Sequence, residues 1–158
     1  YPLCALAGLP ITRLLVHDAP YNLEASQGPD SQRYLTDLLD TLRAGRHADA
    51  VTAFLMGVGV PAEPAAHTGR QLAPVAPTLA YDSAAMGDVD GGLVPLAALR
   101  GLGVPTTVIA GTGGAPFFVD VAERLVDVIP DADLVLLEGH GHDAPADAVA
   151  PVLLDALR

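Results

Sequence analysis

The chain has 158 residues, of which 51% are hydrophobic and 17% charged, enough apolar material for one packed domain or a large piece of a bigger one and too little charge for a disordered tail. A formal net charge of -11 repels phosphate backbones and anionic lipid, and no apolar run reaches the length of a bilayer span, so a small molecule is the expected partner, with no nucleic acid and no membrane. The single cysteine, Cys4, excludes an internal disulfide and a Cys-rich metal site, and the first residues lack the charged and apolar blocks of a secretory leader, which makes the cytoplasm the expected location.

Tyr1 is not an initiator methionine, and Leu3 to Ala7 read as the end of a helix that Gly8 and Pro10 stop, so further sequence is expected ahead of this segment. Thr12 to Val16 (TRLLV) is a strand-like run closed by His17, Asp18, Ala19 and Pro20, where proline forbids further ladder pairing. The pattern then turns helical from about Tyr21 to Arg100. Asp30 or Ser31 can cap a helix whose apolar face is Tyr34, Leu35, Leu38, Leu39 and Leu42 and which Gly45 ends. A second helix holds Ala50, Val51, Phe54 and Leu55. Prolines 61, 64, 74 and 77 then divide shorter helices up to Met86, and Asp90-Gly91-Gly92 makes a turn before the sheet resumes.

Two later runs match the first strand: Thr106 to Ala110 (TTVIA), closed by Gly111, and Asp133 to Leu137 (DLVLL), followed by Glu138 and Gly139. Near-continuous apolar strands of this kind suit a parallel sheet covered on both faces. Phe117, Val121, Leu125 and Val128 recur at helical spacing between them, and Val149, Val152, Leu153 and Leu157 do so after the last. Strand, helix, strand, helix makes a parallel βαβ unit with a covering helix. The long helical stretch before it can act as a cap over the carboxyl edge of the sheet, where open α/β folds bind their ligands.

Gly139-His140-Gly141-His142-Asp143 lies between the third strand and the last helix, which sends His142 out from the carboxyl edge of the sheet. Two glycines allow a tight turn, and an imidazole that titrates near neutrality suits a general base; a plain surface-loop histidine is the competing reading. His17 reads as an edge or packing residue, because strand alternation sends its neighbour Asp18 to the opposite face. Asp143 reads as a starter of the last helix, with Pro145 in its first turn.

On these residues the chain resembles the C-terminal half of the α/β-hydrolase family, from after the nucleophile turn to the end. Gly139 to His142 matches the family's Gly-x-x-His segment, which carries the triad histidine after the last strand. The strand Thr106 to Gly111, the helix Pro116 to Ile129 and the strand Leu134 to Leu137 fit the family's last two strands, and Thr12 to Pro20 is similar to the strand that follows the nucleophile's helix. The resemblance implies a partial parallel-sheet α/β core from residues 1–20 and 95–158, a helical cap insertion at 21–94, and hydrolysis of a small ester or related acyl bond, with no cofactor.

Two departures from the family matter. The chain contains no Gly-x-Ser-x-Gly turn, its serines being Ser26, Ser31 and Ser83, none of them flanked by glycines between a strand and a helix. Cys4, in an apolar helical setting, reads as a buried structural residue, and the nucleophile is left unassigned. The acid that usually follows the strand ending at Gly111 is also missing, since Thr112, Gly113, Gly114 and Ala115 stand there. Some members carry it after the earlier strand, and the resemblance then implies Asp18 as the partner of His142. The alternative is that Asp18 only accepts backbone hydrogen bonds before Pro20.

Three rival readings complete the set. Gly111-Thr112-Gly113-Gly114 follows a strand, but Pro116 stands where a dinucleotide fingerprint needs its third glycine and no lysine serves a phosphate loop. His140 and His142 have a metal-ligand spacing without an identifiable third ligand, so a metal-dependent hydrolase is one alternative. The other is a non-catalytic, truncated hydrolase remnant that pairs its sheet edge with a second copy or a complementing chain.

Overall fold

The computed structural model describes residues 9–58, 60–86 and 91–158. The expectations for Cys4, for a helix end at Leu3 to Ala7 and for Asp90 lie outside the described residues. The chain divides into two compact units: residues up to Leu23 together with Val94–Arg158, and Glu24–Leu93 between them in sequence.

Among the described residues the first unit holds three strands, β1 (Leu14–His17), β2 (Thr106–Gly111) and β3 (Ala132–Leu137), in the order β1-β2-β3 and all parallel. Leu14 is in register with Thr106, which in turn faces Ala132, so all three strands leave the sheet at the same edge. As the central strand, β2 is the most buried, with Val108, Ile109 and Ala110 almost fully enclosed. Helix α6 (Phe117–Val128) buries Val121, Ala122 and Leu125, the i, i+1, i+4 stripe that a helix lays on a sheet. These side chains join Leu14, Val16, Tyr21, Leu99, Leu102, Val108, Ala110 and Ile129 in one core. Leu99 comes from the short helix α5 (Leu96–Leu99) that precedes β2. Each enclosed leucine is worth about 1.5–3 kcal/mol of burial.

The second unit is helical: a 3-10 turn Ala25–Gln27, α1 (Gly28–Arg43), α2 (His47–Gly57), α3 (Ala62–Leu72), a 3-10 segment Ala73–Thr78 and α4 (Leu79–Met86). Its interior is lined by small and aliphatic residues, with Leu38, Ala50, Val51, Ala65 and Ala76 buried. Pro74 and Pro77 fall in the 3-10 segment, where the missing N–H groups cost little. No helix among the described residues is long and apolar enough to cross a membrane.

Several local expectations are corrected. β1 starts at Leu14 rather than Thr12 and extends to His17, because its ladder opens with the Leu14 amide donating to Pro105. The first long helix starts at Gly28, ahead of Asp30 and Ser31, with Pro29 in its first turn. The last helix, α7 (Ala146–Ala156), begins after Pro145 without a side-chain cap, so Asp143 does not start it. β3 and α7 are also less covered than a sheet enclosed on both faces requires. Only Leu137 of β3 is buried, no residue of α7 is, and Leu154 and Leu157 are exposed. β3 is an outer strand, and apolar continuity alone does not distinguish an outer strand from a central one.

Candidate active site

Because the strands are parallel, the segments that follow them emerge together: residues 18–20 after β1, 112–116 after β2 and 138–145 after β3. Asp18 continues the ladder by one residue, its amide donating to the Ile109 carbonyl at 2.9 Å. It then leaves the strand conformation at φ 44°, the one positive φ among the described non-glycine residues. Aspartate tolerates this left-handed region better than most residues, and the turn brings its carboxylate back toward the sheet.

That carboxylate is buried, with 1% of its side chain exposed. Oδ1 accepts the Gly111 amide at 3.1 Å, and Oδ2 lies 3.2 Å from His142 Nδ1. A carboxylate only accepts, so Nδ1 of His142 is the donor, and in the neutral ring Nε2 then carries a lone pair. The His142 side chain is 69% exposed, which leaves Nε2 open to a reacting group. The structure thus brings together two residues 124 positions apart, and Asp18 does more than accept backbone hydrogen bonds in its own turn. No local pattern specifies this pairing.

The His142 loop is held against the end of β2. The Gly113 amide donates to the His140 carbonyl at 2.8 Å, and the Thr112 amide donates to Leu137 at 3.1 Å. Thr112 Oγ1 accepts the Gly139 amide at 2.8 Å and donates to Glu138 Oε2 at 3.1 Å. A Cβ at Gly111 would collide with the His140 carbonyl, so the close approach of the two segments requires glycine there. Gly139 takes φ 73°, the left-handed turn that redirects the chain out of β3. Gly111 and Gly113 therefore serve the close packing of the two loops.

Two aromatic neighbours complete the site. The His142 ring lies 5.7 Å from that of His17 at an interplanar angle of 15°, and 5.5 Å from that of Phe118 at 10°. His17 Nε2 is 3.6 Å from Asp18 Oδ2. The expectation that His17 and Asp18 point to opposite faces is overturned, because the positive φ at Asp18 breaks the alternation on which it rested. Phe118 comes from the first turn of α6 and is not singled out by the sequence pattern. An adjacent His-Asp pair at a strand end, closed by proline, is the signal in the sequence that could have drawn attention to His17.

The other candidates are elsewhere. Ser26, Ser31 and Ser83 all belong to the helical unit, on the 3-10 turn, α1 and α4. Cys4 is outside the described residues. His140 contributes its carbonyl to the loop contact, and no group of three or more His, Cys, Asp or Glu residues that could hold a metal ion occurs among the described residues. A zinc or related site lacks its donor set there.

A three-stranded parallel sheet with its loops gathered at one edge, and helices packed against it, defines an α/β protein. Solved structures narrow the class. The chain is similar to an α/β hydrolase from Sphaerobacter thermophilus DSM 20745, with 38% identity over 99% of this chain and 62% of that chain at a TM-score of 0.82. This likeness supports an α/β-hydrolase assignment for the chain. MenH from S. aureus shares the fold at 20% identity, 94% and 59% coverage and a TM-score of 0.66. So does the 2-hydroxy-6-oxo-6-phenylhexa-2,4-dienoate hydrolase of Rhodococcus sp. strain RHA1, at 20% identity, 99% and 58% coverage and a TM-score of 0.57. The chain spans a little under two thirds of the length of each of these proteins. No family model and no curated protein matches the sequence.

Proposed function

We propose that the chain carries the acid and base of an α/β-hydrolase that cleaves a small, fairly apolar ester or related acyl substrate. The observation that carries this reading is the 3.2 Å contact between the buried Asp18 carboxylate and Nδ1 of the exposed His142. In the proposed reaction His142 Nε2 removes the proton of a hydroxyl or thiol as that group attacks the acyl carbon. The resulting imidazolium then protonates the leaving group, and the same nitrogen activates water to release the acyl product. Asp18 holds the ring in the required tautomer and stabilises the transient positive charge. The nucleophile comes from sequence other than this chain, which has no Gly-x-Ser-x-Gly turn. The helical unit, residues 24–93, is the proposed cap and the source of substrate selectivity. The reading invokes a soluble cytoplasmic protein.

The test is His142→Ala in the protein as its gene encodes it, assayed on a short-chain aryl ester. Turnover is expected to fall by about 10³-fold or more, the scale of losing a triad member. Unchanged turnover rejects the base.

A second reading has its own observation. The outer edges of β1 and β3 have no strand partner among the described residues, and Leu154 and Leu157 are exposed beside β3. A non-catalytic chain that covers these edges with a second copy would be a dimer in solution, unlabelled by a serine-reactive phosphonate and inert toward the ester. Covalent labelling excludes it.

A further inference from the structure

Oδ2 of Asp18 has two imidazoles beside it, of which the proposed reaction uses one. His142 Nδ1 takes one side at 3.2 Å; His17 Nε2 stands at 3.6 Å, a few tenths of an ångström beyond hydrogen-bond range. That nitrogen is buried and has no hydrogen-bond partner among the described residues. A buried imidazole nitrogen without a partner is costly, and the acceptor beside it is a carboxylate oxygen with a second lone pair. The His17 ring also runs nearly parallel to that of His142, 15° between planes at 5.7 Å.

His142 has need of such a neighbour. Its ring is mostly exposed, and Asp18 is its one hydrogen-bonded side-chain partner among the described contacts. Asp18 in turn is fixed at Oδ1 by the Gly111 amide, while Oδ2 carries the whole task of aiming the imidazole.

We propose that His17 is a positioning residue of the Asp18–His142 pair: its Nε2–H donates to Asp18 Oδ2, fixing the carboxylate that holds His142 in the Nδ1–H tautomer, while its ring face restrains the orientation of that imidazole. The idea rests on the reading of Asp18 and His142 as a working pair. His17 itself touches no reacting atom; it acts through the other two. The adjacency of His17 and Asp18 in sequence matters only because the φ of 44° at Asp18 turns both side chains to the same side.

Ring-nitrogen NMR on the unsubstituted protein gives the first test. At about pH 8, where an ordinary imidazole is neutral, His17 is expected as the Nε2–H tautomer and His142 as the Nδ1–H tautomer. A His17 protonated on Nδ1 alone would overturn the proposal without any variant. Two substitutions then separate nitrogen from ring. His17→Phe keeps an aromatic ring and removes the donor; His17→Gln removes the ring and returns an amide N–H near the place of Nε2. His17→Phe is expected to mix the His142 tautomers and lower kcat on the aryl ester by about 10–100-fold, the scale of losing an outer partner of a functional histidine, with KM unchanged. His17→Gln should recover most of that loss. Wild-type kcat and an unaltered His142 spectrum in His17→Phe reject the role, as does a folded His17→Gln that is no better than His17→Phe. If His142→Ala leaves turnover intact, the proposed reaction fails, and the ring spectra still decide whether His17 positions His142.

Discussion

Asp18 and His142 meet at one hydrogen bond, but their surroundings contrast. The Asp18 side chain is 1% exposed, closed in by β2 and tied through both oxygens; the His142 side chain is 69% exposed and reaches the pair from a glycine-rich loop. A buried carboxylate pointing at an exposed imidazole concentrates the orienting contacts on the acid and leaves the base accessible. Changes at Asp18 should therefore act on chemistry first, whereas changes around the His142 loop should act on both chemistry and stability, with smaller effects on turnover.

Asp18→Asn makes the sharpest break. Asparagine tolerates the positive φ and can still accept the Gly111 amide, but its amide nitrogen presents a donor toward Nδ1 and favours the wrong tautomer of His142. We expect kcat for an aryl ester to fall by about 10³–10⁴-fold with little loss of thermal stability. An undiminished kcat would separate Asp18 from the orientation of His142.

Gly111→Ala tests the other arm. The added methyl group meets the His140 carbonyl, so the loop that carries His142 has to move away from β2. Urea denaturation is expected to report a loss of about 1–3 kcal/mol, the usual cost of overpacking, together with a fall in kcat. Stability and turnover both at wild-type values would mean that the loop is not held by this close approach.

Phe118→Leu keeps an apolar side chain but removes the ring parallel to His142. A ring contact of this kind is worth about 0.5–1.5 kcal/mol, so kcat should drop by no more than about tenfold. Loss comparable to that of Asp18→Asn would move the orienting role from the carboxylate to the aromatic contact. The smallest effect is expected at Thr112→Val, which removes exposed hydrogen bonds to Gly139 and Glu138. Its stability change should stay within about 1 kcal/mol by thermal melting.

Much of the sheet unit was legible in the residues because the signals are local. Thr106 to Ala110 reads as a strand from its run of β-branched and apolar residues, and Val121 and Leu125 read as the buried face of α6 from their spacing. His142 stood out because Gly139 and Gly141 mark a turn after a strand. His17 did not, since the alternation rule that demoted it fails where φ changes sign at Asp18. The apolar run in β3 misled for a related reason: hydropathy records what a strand could bury, and its place at the sheet margin determines what it does bury.

Periodicity, proline and glycine placement by themselves determined an α/β chain with a long helical insertion and a histidine in the loop after its last strand, because these features depend on neighbours within a few residues. The family resemblance implied Asp18 as the partner of this histidine, but the tertiary structure alone decided that the two meet across 124 positions, that His17 joins them, and that Gly111 is the surface against which the loop closes. Those outcomes depend on parallel strands ending in register and on the left-handed turn at Asp18, and neither is encoded in any short stretch of the chain.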